Sequence, residues 1–232
     1  MFVLPMLGKS KRFFDAGYDM PKYKLDLAGL PVFSSVLMSF EKYFQTDQFT
    51  FIVRQDSQDC EWVKRQAAVL GILKYDVYEI LGDTSGQAES VYRVTKNTDS
   101  QDDELFIFNI DTILTGFTKL YKNCDGYLEL FKADGHHWSF AEVDQDDNVI
   151  RTAEKYRISD NCSNGLYFFR NIRMFNNYYE SYKHIYKNET YIAPLYNLLI
   201  SDGLTIKAKH IEASSVLLCG NPQEYESLKK KL

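Results

Sequence analysis

The sequence lacks most features that would announce a function at once. No apolar run approaches the roughly 18 residues that suggest a membrane span, so no membrane partner is expected. The apolar start, residues 1–5, is too short and too soon followed by charge to read as a signal peptide. The four cysteines (Cys60, Cys124, Cys162, Cys219) include no CxxC pair, which predicts a reduced, cytoplasmic chain without a zinc knuckle. Four histidines, with His136 and His137 adjacent, form no HExxH-type array, so histidine-rich metal chemistry is not expected. A basic excess is also missing. Lys and Arg number 27 against 32 Asp and Glu, a net charge of −5, so bulk electrostatics recruits neither nucleic acid nor anionic lipid. No internal repeat and no low-complexity tract is found.

What is present is an ordinary globular composition over 232 residues, 45% apolar and 25% charged, read as a single domain spanning 1–232. Aromatics reach 15%, with 17 Tyr. That is enough to fill a large core, line a ligand groove, or furnish the dimer surface of a homo-oligomer.

Periodicity alternates between strand and helix. Residues 2–6, 49–53, 76–81 and 105–110 read as apolar strands, and residues 31–44, 59–70 and 85–94 as helices with one apolar face. This alternation predicts βαβ units and a largely parallel sheet. The middle of the chain changes character. Short strands at 127–131, 139–143, 149–152 and 166–169, split by polar turns, predict antiparallel additions to the same sheet. Residues 171–186 form a Tyr-rich helix whose stripe, Phe175, Tyr178, Tyr179, Tyr182 and Tyr186, reads as core. Another helix is expected at 192–200, a closing hairpin from 204–211 and 215–219, and a last helix from 222–228. The fold class is thus α/β: a Rossmann-like three-layer domain with a mixed, mostly parallel central sheet.

Four segments carry residues suited to chemistry. In the first, a strand runs into a loop holding Leu7, Gly8, Lys9, Ser10, Lys11 and Arg12, with Pro21-Lys22 ten residues on. A loop at the C-terminal end of a parallel strand is where α/β sheets bind ligands, and backbone amides with Lys and Arg suit phosphate oxygens. The loop alone is equally compatible with a solvated basic turn; the Pro-Lys beyond it favours phosphate. In the second, strand 105–110 runs on to Asn109 and Asp111, a carboxylate placed to share Mg²⁺ with substrate phosphates, although Asn and Asp also end strands as turn formers. In the third, Gly86 opens a helix and Gln87 could read a base edge; capping by Thr84 or Ser85 with Glu89 needs no ligand and is compatible with that role. The fourth holds Glu154, Lys155 and Arg157, with Gly165 and Trp138 beside them, either a solvated charge cluster with a packing Trp or the wall of a pocket.

In this order the segments resemble the nucleotidyltransferase family that makes nucleoside-diphosphate sugars and related activated head groups. Gly8, Arg12, Pro21 and Lys22 match its G-x-G-[ST]-R loop and subsequent Pro-Lys, residues 85–88 its G-T-A-type helix start, Asp111 its metal aspartate, and Glu154-Lys155 its later Glu-Lys. Residues 220–223 look like its late G-[TN]-P-E. The wording FNIDT, EK-x-RISD and YIAPLYN is most similar to the subgroup serving capsule and surface-polysaccharide synthesis. The resemblance implies a GT-A-like fold, an NTP (CTP favoured) and a phosphorylated small-molecule acceptor, and Mg²⁺ on Asp111. It also implies Arg12 and Lys22 on the triphosphate, the 7–11 loop with Gly86, Gln87 and Asn109 around the nucleotide, and Trp138, Glu154, Lys155, Arg157 and Gly165 around the acceptor. Three positions depart from the pattern: Ser10 replaces its second glycine, Lys11 its Ser/Thr, and Leu218 an aspartate that would be a second metal ligand. Asn197 and Glu189 are conceivable substitutes for that ligand. Two other readings stand beside this one. A GT-A glycosyltransferase would use Asn109-Ile110-Asp111 as a D-x-D equivalent, and a non-catalytic relative would keep only the fold.

Overall fold

A computed structural model describes residues 1–120, 123–185 and 189–232. In chain order the elements are β1 (Phe2–Pro5), α1 (Lys11–Asp15), β2 (Asp26–Leu27), β3 (Leu30–Pro31), α2 (Val32–Met38), β4 (Gln48–Arg54), α3 (Cys60–Val69), β5 (Lys74–Ile80) and α4 (Gln87–Thr95). Next come β6 (Leu105–Ile107), β7 (Thr112–Leu114), β8 (Gly126–Lys132), β9 (Ser139–Val143), β10 (Val149–Glu154), β11 (Asn161–Phe169) and α5 (Ile172–Ile185). The chain closes with α6 (Tyr196–Ser201), β12 (Ile206–His210), β13 (Val216–Leu218) and α7 (Pro222–Lys229).

The main sheet is mixed. One half runs β5-β4-β1-β6, all parallel, as βαβ crossovers require. Long β11 then joins the sheet antiparallel. Its C-terminal half pairs with β6, its N-terminal end meets the β9-β10 ribbon, and its other edge carries β8. Successive side chains of the parallel strands point to opposite faces, and the sequence sorts them by size. Phe2, Phe49, Phe51 and Phe106 face one core cluster, which also buries Val36 of α2 and Val63 of α3. Val3, Ile52 and Ile107 face the other, which buries Val91 of α4 and Phe175 of α5. Phe2 stacks on Phe49 and Phe106 at centroid distances of 5.0 and 4.8 Å. The layers are therefore helix, sheet, helix. Among the described residues no helix is long and apolar enough to cross a membrane.

The expected closing hairpin does not form. β12 pairs parallel with β8, and β13 pairs antiparallel with short β7, a pairing that the periodicity does not show. β11 runs antiparallel to β8, and the chain returns through α5 and α6 in the direction opposite to β11, so β12 enters parallel to β8. The helix expected over 31–44 breaks after Met38 and resumes as a single 3₁₀ turn at Glu41–Tyr43, with Phe40 buried between. Phe175, Tyr179 and Tyr182 of the expected stripe are core, Tyr178 is half-buried, and Tyr186 lies outside the described residues.

One buried carboxylate fixes the segment after α1. Asp59 precedes α3 and is 1% exposed. It accepts a hydrogen bond from the Tyr23 hydroxyl and pairs with the Lys24 ammonium. The 3₁₀ turn Lys22–Lys24 is thereby pinned from beneath, leaving Lys22 on its other side. Removing one partner of a buried pair typically costs about 3–5 kcal/mol. Asp59→Ala should lower the thermal midpoint by roughly 6 °C or more, whereas Tyr23→Phe should cost only about 1 kcal/mol, both read by thermal denaturation.

Candidate active site

The loops after β1, β5 and β6 open at the C-terminal ends of the parallel strands, the place where open α/β sheets hold ligands. Together with the β9-β10 ribbon, β11 and the start of α7 they line a cleft of about 570 Å³, a size suited to small-molecule substrates. Leu7, Gly8, Arg12, Lys22, Gly86, Gln87, Asn109, Asp111, Trp138, Glu154, Lys155 and Gly165, each a candidate from the sequence, all line it.

At the floor, the Lys22 ammonium donates to Asp111 Oδ2 at 2.5 Å; these side chains are 17% and 24% exposed. Three cations decorate the loop above. Lys9 is engaged with Asp83 at 2.9 Å and Lys11 with Asp15 at 2.8 Å, both outside the cleft lining. Arg12 lines the cleft, is exposed, and has no anionic partner among the described residues, so it is the loop cation free to meet one. Its helix α1 is anchored by buried Phe13, whose ring packs on Tyr18 and Tyr225. Ser10 sits at φ 50°, ψ 27°, the left-handed conformation that favours glycine, and its hydroxyl accepts from the Lys22 backbone N–H at 3.2 Å. The serine thus keeps the turn and ties the loop to Lys22. It lies behind the cleft lining.

At the start of α4, Gln87 Nε2 donates to Asn109 Oδ1 at 2.7 Å. A Cβ on Gly165, at φ +89°, would lie 2.2 Å from Asn109 Nδ2, so only glycine leaves that amide its place. A Cβ on Gly86 would meet the Thr190 backbone at 2.6 Å; Thr190 clasps the start of α4 through Thr190 N–H to Ser85 O and Ala88 N–H to Thr190 O. The capping alternative is partly realised, because Glu89 reaches back to the Ser85 N–H at 2.5 Å.

At the far end, Glu154 accepts from the Ser139 hydroxyl, which also bonds Tyr167 at 2.9 Å. Burial pushes the Glu154 carboxyl above the usual glutamate range, against the opposing effects of Ser139 and Lys155. Lys155, at φ 56°, donates to the Tyr191 hydroxyl at 2.5 Å and lies 3.9 Å from Glu189. Burial lowers the Lys155 pKa, but Tyr191 and Glu189 outweigh it and hold it above its ordinary value. Trp138 is held by its Nε1–H on Asp134 O, with its ring against Phe131. Arg157 is not brought to the cleft. Its guanidinium donates to Ala133 O at 3.1 Å and Gly135 O at 2.9 Å, pairs with Asp160, and lies over Phe140. The charge cluster seen in the sequence is thus split: Lys155 faces the site and Arg157 pins a turn.

Several lining residues escaped the sequence reading as site residues: Tyr167, Tyr191, His137 and Glu224. Only Glu224 had a usable signal, the Asn221-x-x-Glu224 capping spacing. Residues 219–220 reach Asp111 because β13 pairs with β7, placing the Cys219 N–H on Asp111 O at 3.0 Å. Burial pushes the Cys219 thiol up to about 12, so it is an inert neighbour and not a nucleophile.

The donor set beside Asp111 suits a hard cation. A Cβ on Gly220 would lie 3.1 Å from Asp111 Oδ2, a notch kept open by glycine, and the Lys22 ammonium already supplies positive charge there. Among the described residues no group of three or more His, Cys, Asp or Glu side chains is placed to hold a metal.

The chain is similar over 99% of its length to the nucleoside-diphosphate-sugar pyrophosphorylase from Vibrio cholerae RC9, at 38% identity, with 100% of that chain covered and a TM-score of 0.93. It shares its fold with the inositol-1-phosphate CTP transferase from T. maritima (15% identity, 99% and 94% coverage, TM-score 0.77). The same holds for HddC from Yersinia pseudotuberculosis (15% identity, 99% and 98% coverage, TM-score 0.67). No protein-family model matches the chain, and no curated protein does.

Glu154 yields a test with a defined sign. A carboxyl whose folded pKa is raised costs stability that is absent below the unfolded value, about 4.3, and grows as pH rises through the folded one. Glu154→Gln should therefore raise the thermal midpoint at pH 8, and the gain should vanish toward pH 4. A constant difference across that range would count against the burial argument.

Proposed function

The chain belongs to the nucleotidyltransferase family of nucleoside-diphosphate-sugar pyrophosphorylases, and on that premise we propose that it joins an NTP to a sugar 1-phosphate or similar phosphorylated small molecule, releasing pyrophosphate. Within that reading CTP is the favoured nucleotide, because small, divergent members of the family often activate head groups with it; capsule or surface-polysaccharide synthesis follows from the subgroup that the sequence resembles, and a cytoplasmic setting from its cysteine usage. The observation that carries the proposal is the Lys22–Asp111 pair at the cleft floor with unpaired Arg12 above it.

The chemistry asks little of a base. An oxygen of the acceptor's phosphate, already anionic at neutral pH, attacks the α-phosphorus. The bond from that phosphorus to the bridging oxygen breaks, and pyrophosphate leaves with the electron pair. The protein's work is alignment and neutralisation of charge. Arg12 is assigned to the β- and γ-phosphates, where leaving charge develops, and Lys22 to the α-phosphate. Asp111 would hold Mg²⁺, which when bound supplies Lewis-acid neutralisation of the triphosphate oxygens. The Gln87–Asn109 pair faces the base. Lys155 is the cation for the acceptor phosphate, with Glu154 and Trp138 at the acceptor's body.

Arg12 together with Pro21-Lys22 argues against the glycosyltransferase reading, because a nucleotide-sugar donor has no γ-phosphate for such a set of cations to hold.

A thermal-shift panel of ATP, GTP, CTP, UTP and dTTP, each with and without Mg²⁺, tests the substrate class. One nucleotide at about 100 times its dissociation constant should stabilise by roughly 2.7 kcal/mol, only with the metal. If none does, the triphosphate site is misassigned. With that nucleotide and a panel of sugar 1-phosphates, Arg12→Ala and Lys22→Ala should each lower pyrophosphate release by on the order of 10²-fold, the scale of losing one electrostatic stabiliser. Near-normal turnover in either would refute its role.

A further inference from the structure

A second carboxylate stands at the Asp111 notch, and its role depends on the transferase reading of the cleft. Leu218, which lines the cleft, offers no oxygen to a cation from its side chain. The two substitutes suggested by the sequence are placed elsewhere. Asn197 is spent on the Thr152 backbone, accepting its N–H at 2.8 Å and donating to its carbonyl at 2.9 Å. Glu189 lies at the acceptor end with Tyr191 and Lys155.

Glu224 is placed differently. It occupies the first turn of α7, where the Asn221 side chain accepts its backbone N–H at 3.0 Å. Its carboxylate does not run out to solvent but folds back, Oε2 accepting the Gly220 N–H at 2.9 Å. A Cβ on Gly220 would sit 3.1 Å from Asp111 Oδ2 and 3.4 Å from Glu224 Oε2, so both carboxylates border the space which that missing side chain leaves. The β7–β13 ladder and the Cys219 N–H on Asp111 O hold this register. A carboxylate has about four lone-pair sites, so one backbone bond leaves Glu224 free to bind a cation.

We propose that Glu224 is the second protein ligand of the divalent cation, sharing the Gly220 notch with Asp111, and that the Lys22 ammonium holds the Asp111 carboxylate until the cation and nucleotide arrive. Two carboxylates give a hard oxygen pair and leave the remaining positions to phosphate oxygens and water, the mode of binding Mg²⁺ prefers. Lys22, released from Asp111, is then at hand for the α-phosphate.

The test is a titration of Mn²⁺ into the full chain, with free Mn²⁺ read by EPR, alone and with each of the five triphosphates. Glu224→Gln keeps an acceptor for the Gly220 N–H, so it should fold as the parent does and yet weaken Mn²⁺ binding by roughly tenfold or more, as should Asp111→Asn. Leu218→Asp added to Glu224→Gln should restore most of the loss. In the unaltered chain, Fe²⁺ with ascorbate and peroxide should cut the backbone beside both residue 111 and residues 220–224. If only Asp111→Asn weakens binding, or cuts fall only beside residue 111, Glu224 is not a ligand and the transferase reading stands. If Mn²⁺ does not bind under any condition, or neither variant weakens it, the metal assignment falls for both residues.

Discussion

The ion pair between Lys22 and Asp111 is the constraint on which the rest of the site depends. It joins segments 89 residues apart and sits where the loops after β1 and β6 meet. At a few ångströms such a pair gains roughly 4 kcal/mol of Coulomb energy at surface-like dielectric, and desolvation takes back much of it. Its importance is geometric. Each partner is fixed by bonds unrelated to the pair. Lys22 rides on a turn clamped by Asp59, and Asp111 is held by its carbonyl on the Cys219 N–H beside the β7–β13 ladder. A cation and a carboxylate are thus kept together in a partly buried cleft, where on the proposed function they would exchange each other for phosphate and metal.

The loop that carries Arg12 shows how a departure from the family pattern is absorbed. A serine in the left-handed region costs on the order of 1–2 kcal/mol relative to glycine. Here its hydroxyl gains the Lys22 N–H, so the cost is partly offset by a tether that a glycine would lack. The second departure, Lys11, points away and pairs one helical turn on with Asp15. Neither change disturbs the cation that faces the cleft. The basic character of the loop therefore overstates its cleft-facing charge: of Lys9, Lys11 and Arg12, only Arg12 lines the cleft.

The parallel half of the sheet was legible in the sequence because strand and helix periodicities differ and each βαβ unit is local. Much of the cleft lining was legible for the same reason, since Gly8, Arg12, Gly86 and Asp111 follow strand ends that the pattern marks. What was not legible depends on pairing between distant strands. Nothing in residues 216–218 announces β7 as partner, so the hairpin expectation failed and Glu224 went unremarked as a neighbour of Asp111. Nor does a sequence say which of two nearby cations turns inward. Lys155 and Arg157 are separated by one residue, yet a left-handed backbone at Lys155 aims one at the cleft while the other is bound by three carbonyl and carboxylate oxygens of its own neighbourhood.

Backbone strain is distributed on the same map. Among the non-glycine residues in the left-handed region, Ser10 lies in the loop after β1, beside the cleft-lining Gly8 and Arg12, and Lys155 lines the cleft at the end of β10. Such conformations cost free energy and persist only where surrounding bonds over-determine them. Ser10 is held by the Phe13 and Phe14 amides on its carbonyl, Lys155 by its N–H on Trp138 O and its ammonium on Tyr191. In the proposed reaction, which needs no protein base, catalytic power would reside in where the cations stand before substrate arrives. A fold that fixes Lys22 by a buried carboxylate, Arg12 by a buried phenylalanine and Lys155 by a strained turn has placed its rigidity where that proposed chemistry would require it.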